Sequence, residues 1–386
     1  MRKIIYLQGL RGTAALGVVL HHFFCAFYPM AVFATGPSHW QWEKLFWSTP
    51  LGLLIAGRSL ICLFFILSGY VLSLPYFGAG ARDLAQLCAA MVKRPFRLVG
   101  LVALTMIASV MLLNGHFYHN AQVAEISGSE WLGAQSSTPV GFWHFVVDII
   151  SNPFWNGENY NQPLWTIFYE LVGSYLTFIF TLLFRNSQVR WWAYAIVGLT
   201  FSGSLYGSFI LGIFLADLSK NFPSAIAKAN RPWFLLPLLG AGIYLAAYPF
   251  FINQSQLPLT WFSHLPWSQF NDRYSMAGAF FLFCAVLAAP LLQRLFSIAS
   301  VVYLGRISFA LYAVHLLVLR SFSLWLFLKL NPYYSYNQSF VYVLVCSGFV
   351  IIVCAHLLTV YFDEIFIQLS DRIASLWLAR TQSKTM

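Results

Sequence analysis

The chain has 386 residues, of which 9% are charged and 59% hydrophobic, with a mean hydropathy of +0.70. Soluble proteins carry about 25% charged residues, so a soluble domain is excluded and an all-α integral membrane protein, a bundle of transmembrane helices, is implied. The net charge of +10 then belongs to basic cytoplasmic loops and not to a nucleic-acid surface.

Ten apolar stretches read as membrane spans, at about 12–34, 51–76, 97–114, 163–184, 191–204, 206–218, 233–252, 275–293, 303–328 and 338–362. The fifth and sixth are short and could be one broken span. Charge decides between the two readings. With ten spans both termini are cytoplasmic, and the outer segments hold only Lys44, Arg273 and Lys329 of the 22 basic residues. Merging spans five and six would carry Lys220, Lys228 and Arg231 outside. The longest outer loop, about 115–162, has no Lys or Arg but contains Glu125, Glu130, Asp148 and Glu158. It also contains an apolar piece at 142–150, too short to span a bilayer. No repeat and no appended soluble domain is expected, so 1–386 reads as one transmembrane domain. Arg2 and Lys3 precede an apolar run ending at Ala34, but that run is long for a signal peptide and carries two histidines. The six cysteines lie mostly in apolar runs without a Cys-x-x-Cys and read as small apolar residues. No metal site is predicted, because no metal-ligand spacing is present.

In chain order, Arg11 and His22 come first. Eleven helical steps of about 100° return both to one face, about 16 Å apart along the axis. They could therefore touch two ends of one long ligand but not each other. His21 falls about 80° from Arg11 and is expected to face elsewhere. An imidazole can take a proton from a hydroxyl near neutral pH, and an ionisable group at membrane depth is a functional candidate. The alternative is an inside-flanking charge and a packed polar residue.

Arg58 lies in the second span. It pairs with an acid of the long loop or contacts an acceptor outside; the other reading is snorkelling to the interface. Further along, Ser68-Gly69 reads as close helix packing. Lys93, Arg94 and Arg97 are read in the loop after span two, where guanidinium forks suit phosphate oxygens. Basic residues also belong there for topological reasons. Glu170 is the acid placed well inside a span, and it must pair or protonate. It would orient His22, bind acceptor hydroxyls, or form an ion pair with Arg58 or Arg320. In span nine, Ser308, Tyr312 and His315 form a polar stripe that reads as a lined cavity or as helix–helix hydrogen bonding. His356 reads as structural.

Taken together these segments resemble the acyltransferase-3 family, multi-pass membrane enzymes that move acyl groups, often acetyl, from coenzyme A to sugars of polysaccharides and glycolipids. The resemblance rests on Leu7 to Ala15 with His22 (an Arg-x10-His pattern), Phe64-Phe65 to Ser68-Gly69-Tyr70, Arg94-x-x-Arg97, Pro163-Leu164-Trp165-Thr166 with Glu170, and Leu304-Gly305 to His315. Thr166 stands where the family often has Ser, and Phe309 where it has Tyr. Spans five to eight and ten match only in hydropathy.

The resemblance implies acyl-CoA as donor substrate, held from the cytoplasmic side by Arg11, Arg94 and Arg97, with no permanently bound cofactor. It implies His22 as general base and Glu170 as a group that holds the imidazole or the acceptor. Arg58, Trp165, Tyr312 and His315 would contact a sugar or polysaccharide acceptor. The expected location is the inner membrane of a bacterial cell. A transporter or flippase for a glycolipid or small molecule, using the same buried charges, is the second reading. It lacks the repeated halves of many transporters.

Overall fold

A computed structural model describes residues 4–135, 160–266 and 272–383, with the isolated positions 141, 143 and 146. Most of the short apolar piece 142–150, with Asp148 and Glu158, lies outside the described residues. Within them the chain is helical, without a β-strand. The principal helices are α1 (Ile5–Phe27), α2 (Gly57–Ser73), α3 (Leu84–Asn114), α4 (Trp165–Phe184), α5 (Arg190–Thr200), α6 (Tyr206–Asn221), α7 (Pro232–Ala246), α8 (Asp272–Ala288), α9 (Ala299–Arg306), α10 (Ser308–Val318), α11 (Tyr336–Leu358) and α12 (Glu364–Ser383).

Six segments of the described chain are long and apolar enough to cross a membrane: Ile5–Phe27, Gly57–Tyr76, Leu84–Asn114, Gln162–Phe184, Ser308–Leu330 and Tyr336–Arg380. The last two are continuous because α10 and α11 each run on through a π-turn, at Leu319–Ser323 and Thr359–Asp363. The predicted spans at 191–204, 206–218, 233–252 and 275–293 correspond to the shorter helices α5 to α8, whose lengths do not by themselves establish a crossing.

Two helices start earlier than hydropathy indicates, and both shifts move functional residues. Helix α1 begins at Ile5, so Arg11 is inside it and not at its entrance. It ends at Phe27, because the next residue, Tyr28, stands before Pro29 and is pushed out of the helical region to φ −132°, ψ 65°. Helix α3 begins at Leu84, and the Asp83 side chain accepts the Gln86 N–H at 2.8 Å as its N-cap. Lys93, Arg94 and Arg97 are therefore on a helix, which corrects their assignment to a loop. Pro95 sits inside that helix and has no N–H, so the Met91 carbonyl loses its usual partner. The Tyr175 hydroxyl of α4 donates to it instead, at 3.4 Å.

Helix α1 packs against α2, α9 and α10, and α3 against α4, α10 and α12. The α1–α9 crossing is a backbone contact: a Cβ on Gly305 would stand 1.9 Å from the Gln8 carbonyl oxygen. Small residues of this kind let membrane helices approach closely. One apolar cluster joins α1, α3, α10 and α11 through Phe23, Phe27, Leu101, Leu311 and Ile351. A second joins α2, α6 and α8 through Ile66, Leu67, Phe209 and Phe283. Between the clusters, α1, α2, α3, α4 and α10 turn polar side chains toward one another.

Candidate active site

Those polar side chains line two neighbouring cavities whose walls share Ile61 and Tyr312. The first, of ≈ 150 Å³, is lined by Arg11, Ser68, Arg94, Arg97, Glu170 and Ser308 among apolar residues. The second, of ≈ 280 Å³, is lined by His21, His22, Cys25, Arg58, Gln162 and Trp165, with Trp131 and Phe251 among its aromatic walls. We refer to them as the arginine cavity and the histidine cavity.

In the arginine cavity two of the three guanidinium groups carry their own carboxylate. Arg94 Nη2 donates to Glu170 Oε1, and its Nε donates to Ser174 Oγ at 2.8 Å. Ser68 Oγ donates to the same Glu170 oxygen at 2.8 Å. Arg97 forms a two-pronged pair with Asp363, at 2.5 and 3.1 Å, and its guanidinium lies 5.4 Å from the Phe309 ring. The ring that lacks the usual hydroxyl thus serves as a cation–π face. Arg11 has no carboxylate in salt-bridge range among the described residues, and its side chain is open to the cavity.

This geometry corrects two expectations. Glu170 is not brought to His22, nor to Arg58 or Arg320, because Arg94 on the neighbouring α3 supplies its countercharge. Ser68 is more than a packing residue, since it bonds Glu170. Its neighbour Gly69 is the close-contact position, where a Cβ would meet the Phe209 carbonyl oxygen at 2.3 Å.

In the histidine cavity the ring protons can be placed from their partners. A backbone carbonyl only accepts, so the ring nitrogen facing one must carry hydrogen. His315 Nδ1 lies 2.7 Å from the Tyr312 carbonyl oxygen and donates to it, which leaves the neutral ring's Nε2 as an acceptor. His22 Nδ1 lies 3.1 Å from that Nε2 and 2.9 Å from the Val18 carbonyl oxygen. It faces two acceptors and therefore carries the proton, and the lone pair of His22 is on Nε2. His21 Nδ1 likewise donates to the Ile55 carbonyl, at 2.8 Å, and Cys25 Sγ stands 3.5 Å from its Nε2. His21 lines the same cavity as His22, with ring centroids 5.2 Å apart, which corrects the expectation that it faces elsewhere. An offset of about 80° along α1 still opens on a cavity this wide.

Arg58 has its carboxylate partner in Asp272 among the described residues, and not in an acid of the long loop. Its Nε and Nη2 grip both oxygens of Asp272, at 2.5 and 2.7 Å, and its guanidinium lies 5.5 Å from the Trp165 ring and 5.0 Å from that of Phe250. Gln162 Oε1 is buried without a hydrogen-bond partner among the described residues. Tyr312 Oη donates to the Pro163 carbonyl at 3.0 Å and is 3.0 Å from Thr166 Oγ1. His315 is 0% exposed and lies behind His22, away from both linings. Arg320 belongs to neither cavity; it stacks on the Tyr118 ring at 4.1 Å. His356 bonds Tyr303 at 3.1 Å.

Sequence reasoning missed Asp272, Asp363 and Gln162. Asp272 and Asp363 stand at the ends of predicted spans eight and ten, where an acid next to an apolar run is itself a signal. Gln162, next to Pro163 at the start of span four, had no such mark.

The acyltransferase domain family matches residues 4–360 of the chain. The chain is also similar to the O-acetyltransferase PaAT-1 of Phomopsis amygdali, at 26% identity over 358 residues, covering 80% of this chain and 71% of that protein. No solved structure matches it.

Proposed function

This chain belongs to the acyltransferase family, and on that premise we propose that it moves an acetyl group from acetyl-CoA to a sugar hydroxyl of an exported or cell-surface polysaccharide or glycolipid. The observation that carries this reading is that the two cavities lie side by side, with Ile61 and Tyr312 in the walls of both. A cationic chamber and an imidazole chamber side by side suit a donor that is anionic at one end and reactive at the other.

Phosphate groups of the donor would bind first at Arg11, the guanidinium without a carboxylate partner, with the outer N–H groups of Arg94 and Arg97 beside it. Glu170 then keeps Arg94 in place and does not serve the base. The thin pantetheine arm would run past Tyr312 and bring the thioester to His22. The acceptor would occupy the histidine cavity, its ring against Trp165 and a hydroxyl donated to Gln162 Oε1. His22 Nε2 takes the proton of the reacting hydroxyl as its oxygen attacks the thioester carbonyl. The tetrahedral intermediate collapses, the C–S bond breaks, and the coenzyme A sulfur leaves as the thiol with the proton from His22. In this reading the protein crosses the inner membrane of a bacterial cell ten times, with both termini cytoplasmic, as the distribution of Lys and Arg supports.

The test is purified protein in nanodiscs, supplied with acetyl-CoA and with octyl glucoside or lipopolysaccharide, and followed by release of free thiol. His22→Ala is expected to lower turnover by about 100-fold to 10,000-fold while acetyl-CoA still binds. Wild-type turnover in His22→Ala overturns the role of the base.

A further inference from the structure

His22 Nδ1–H has two acceptors, and they are not equivalent. The Val18 carbonyl, four residues earlier on the same helix, is also the normal partner of the His22 backbone N–H. The Nε2 of His315 is an acceptor with no such commitment. It comes from a different helix, α10, and is fully buried. Its own direction is fixed because Nδ1 of His315 is tied to the Tyr312 carbonyl. The result is an ordered chain: Tyr312 C=O accepts from Nδ1–H of His315, and Nε2 of His315 accepts from Nδ1–H of His22. Only Nε2 of His22 is left to face a substrate.

We propose that His315 is the positioning residue of the base, turning the His22 ring so that Nε2 addresses the histidine cavity and accepting from Nδ1–H as positive charge develops on that ring. It plays the part that a buried carboxylate plays behind the histidine of a serine-protease triad, with a neutral imidazole in place of the anion. This choice suits the surroundings. A carboxylate at this depth would need a countercharge of its own, as Glu170 and Asp363 have, whereas a neutral ring needs only the Tyr312 carbonyl. The inference rests on the reading of His22 as base. It departs from the expectation that His315 binds the acceptor, since His315 lines neither cavity.

The first measurement does not require an acceptor. In the ¹⁵N spectrum of histidine-labelled wild-type protein, the signals lost in His22→Ala and in His315→Leu should both report Nδ1-protonated neutral rings. A His22 protonated on Nε2 overturns the proposal.

The second measurement is kinetic, with acetyl-CoA and octyl glucoside. His315→Leu is expected to lower kcat on the order of 100-fold and to leave both KM values near wild type. His315→Gln, whose side-chain oxygen can accept from His22 Nδ1–H, should recover about tenfold of that loss. In a His22→Ala background His315→Leu should cost nothing further, because residues that act as a unit are not additive. Wild-type kcat in His315→Leu, or a loss confined to the acceptor KM, overturns the proposal. So does His315→Gln faring no better than His315→Leu. If His315→Leu fails to fold, the comparison is His315→Gln against His315→Asn, whose shorter side chain does not reach. Loss of activity in His22→Ala with full activity in His315→Leu would sink this inference alone; full activity in His22→Ala would sink the reading of the reaction.

Discussion

The arginine cavity is lined by three guanidinium groups and the Glu170 carboxylate, with Asp363 pairing Arg97 from behind, while the histidine cavity beside it works with imidazole rings and has one charged lining group, Arg58, held by Asp272. The difference follows from what each would have to hold. A site for a polyanion needs cations, and cations away from water are tolerated when most of them are paired. Arg94 and Arg97 are paired, so the excess falls on Arg11. A site for proton transfer from a neutral hydroxyl needs a base that is uncharged before the reaction. Three imidazoles oriented by carbonyl groups and by one another meet that need without a buried anion. The two cavities are thus complementary solutions to one problem, the placing of polar chemistry in a bundle with few charged residues.

The largest effect that would test this contrast comes from cutting a pair. Arg94→Ala leaves the Glu170 carboxylate with Ser68 as its remaining hydrogen-bond donor among the described residues, in a site where both partners are only 16% exposed. Removing one member of a buried pair costs about 3–5 kcal/mol, to be read by chemical unfolding in mixed micelles. The double variant Arg94→Ala with Glu170→Ala should regain much of that loss. Unchanged stability in Arg94→Ala would mean that the cavity is wetter than its geometry implies.

Arg11→Ala should behave in the opposite way. It strands no carboxylate, so stability should hold. A charge-assisted hydrogen bond is worth about 1.5–3 kcal/mol, so the KM for acetyl-CoA should rise by about tenfold to 100-fold while kcat changes little. Arg11→Lys should recover only part of this, because an ammonium lacks the two-pronged geometry. If Arg11→Ala unfolds the protein and Arg94→Ala does not, the assignment of free and paired cations is reversed.

On the histidine side, Gly57 is the sensitive position. A Cβ there would stand 2.5 Å from the His21 ring. Gly57→Ala should drive that ring into the cavity at an overpacking cost of about 1–3 kcal/mol. The expected signature is a lower kcat/KM for octyl glucoside with the acetyl-CoA KM unchanged. A change in donor KM instead would show that the displaced ring reaches the path of the donor as well as that of the acceptor.

Much of this was legible in the chain. Apolar length located the six long segments, though not their ends, and charge at membrane depth singled out Arg11, His22, Arg58 and Glu170 as candidates. The failures share a physical cause. Hydropathy ends a span where charge begins, yet a helix continues wherever its backbone is satisfied, so α3 ran back through Arg97 and Arg94 to its Asp83 cap. Ion partners were missed because pairing is decided by which helices touch. Arg97 meets Asp363 because α3 lies along the far C-terminal segment, and Arg58 meets Asp272 because α2 packs on α8. His315 carries no local mark of its contact with His22, some 293 residues away.

The smallest effect serves as the control for burial. Arg306 and Glu364 form a pair of the same chemical types as Arg94 and Glu170, with side chains 60% and 39% exposed. Solvent screens such a pair, and its side chains lose rotamer freedom in making it, so exposed pairs contribute about 0–1 kcal/mol. Arg306→Ala should therefore shift stability by less than about 1 kcal/mol, and the shift should shrink further in high salt. The same substitution type at Arg94 should be several times larger and nearly insensitive to salt. A large, salt-independent loss at Arg306 would place the α9–α12 contact away from water. That would contradict the proposed topology, in which this end of the bundle faces the cytoplasm.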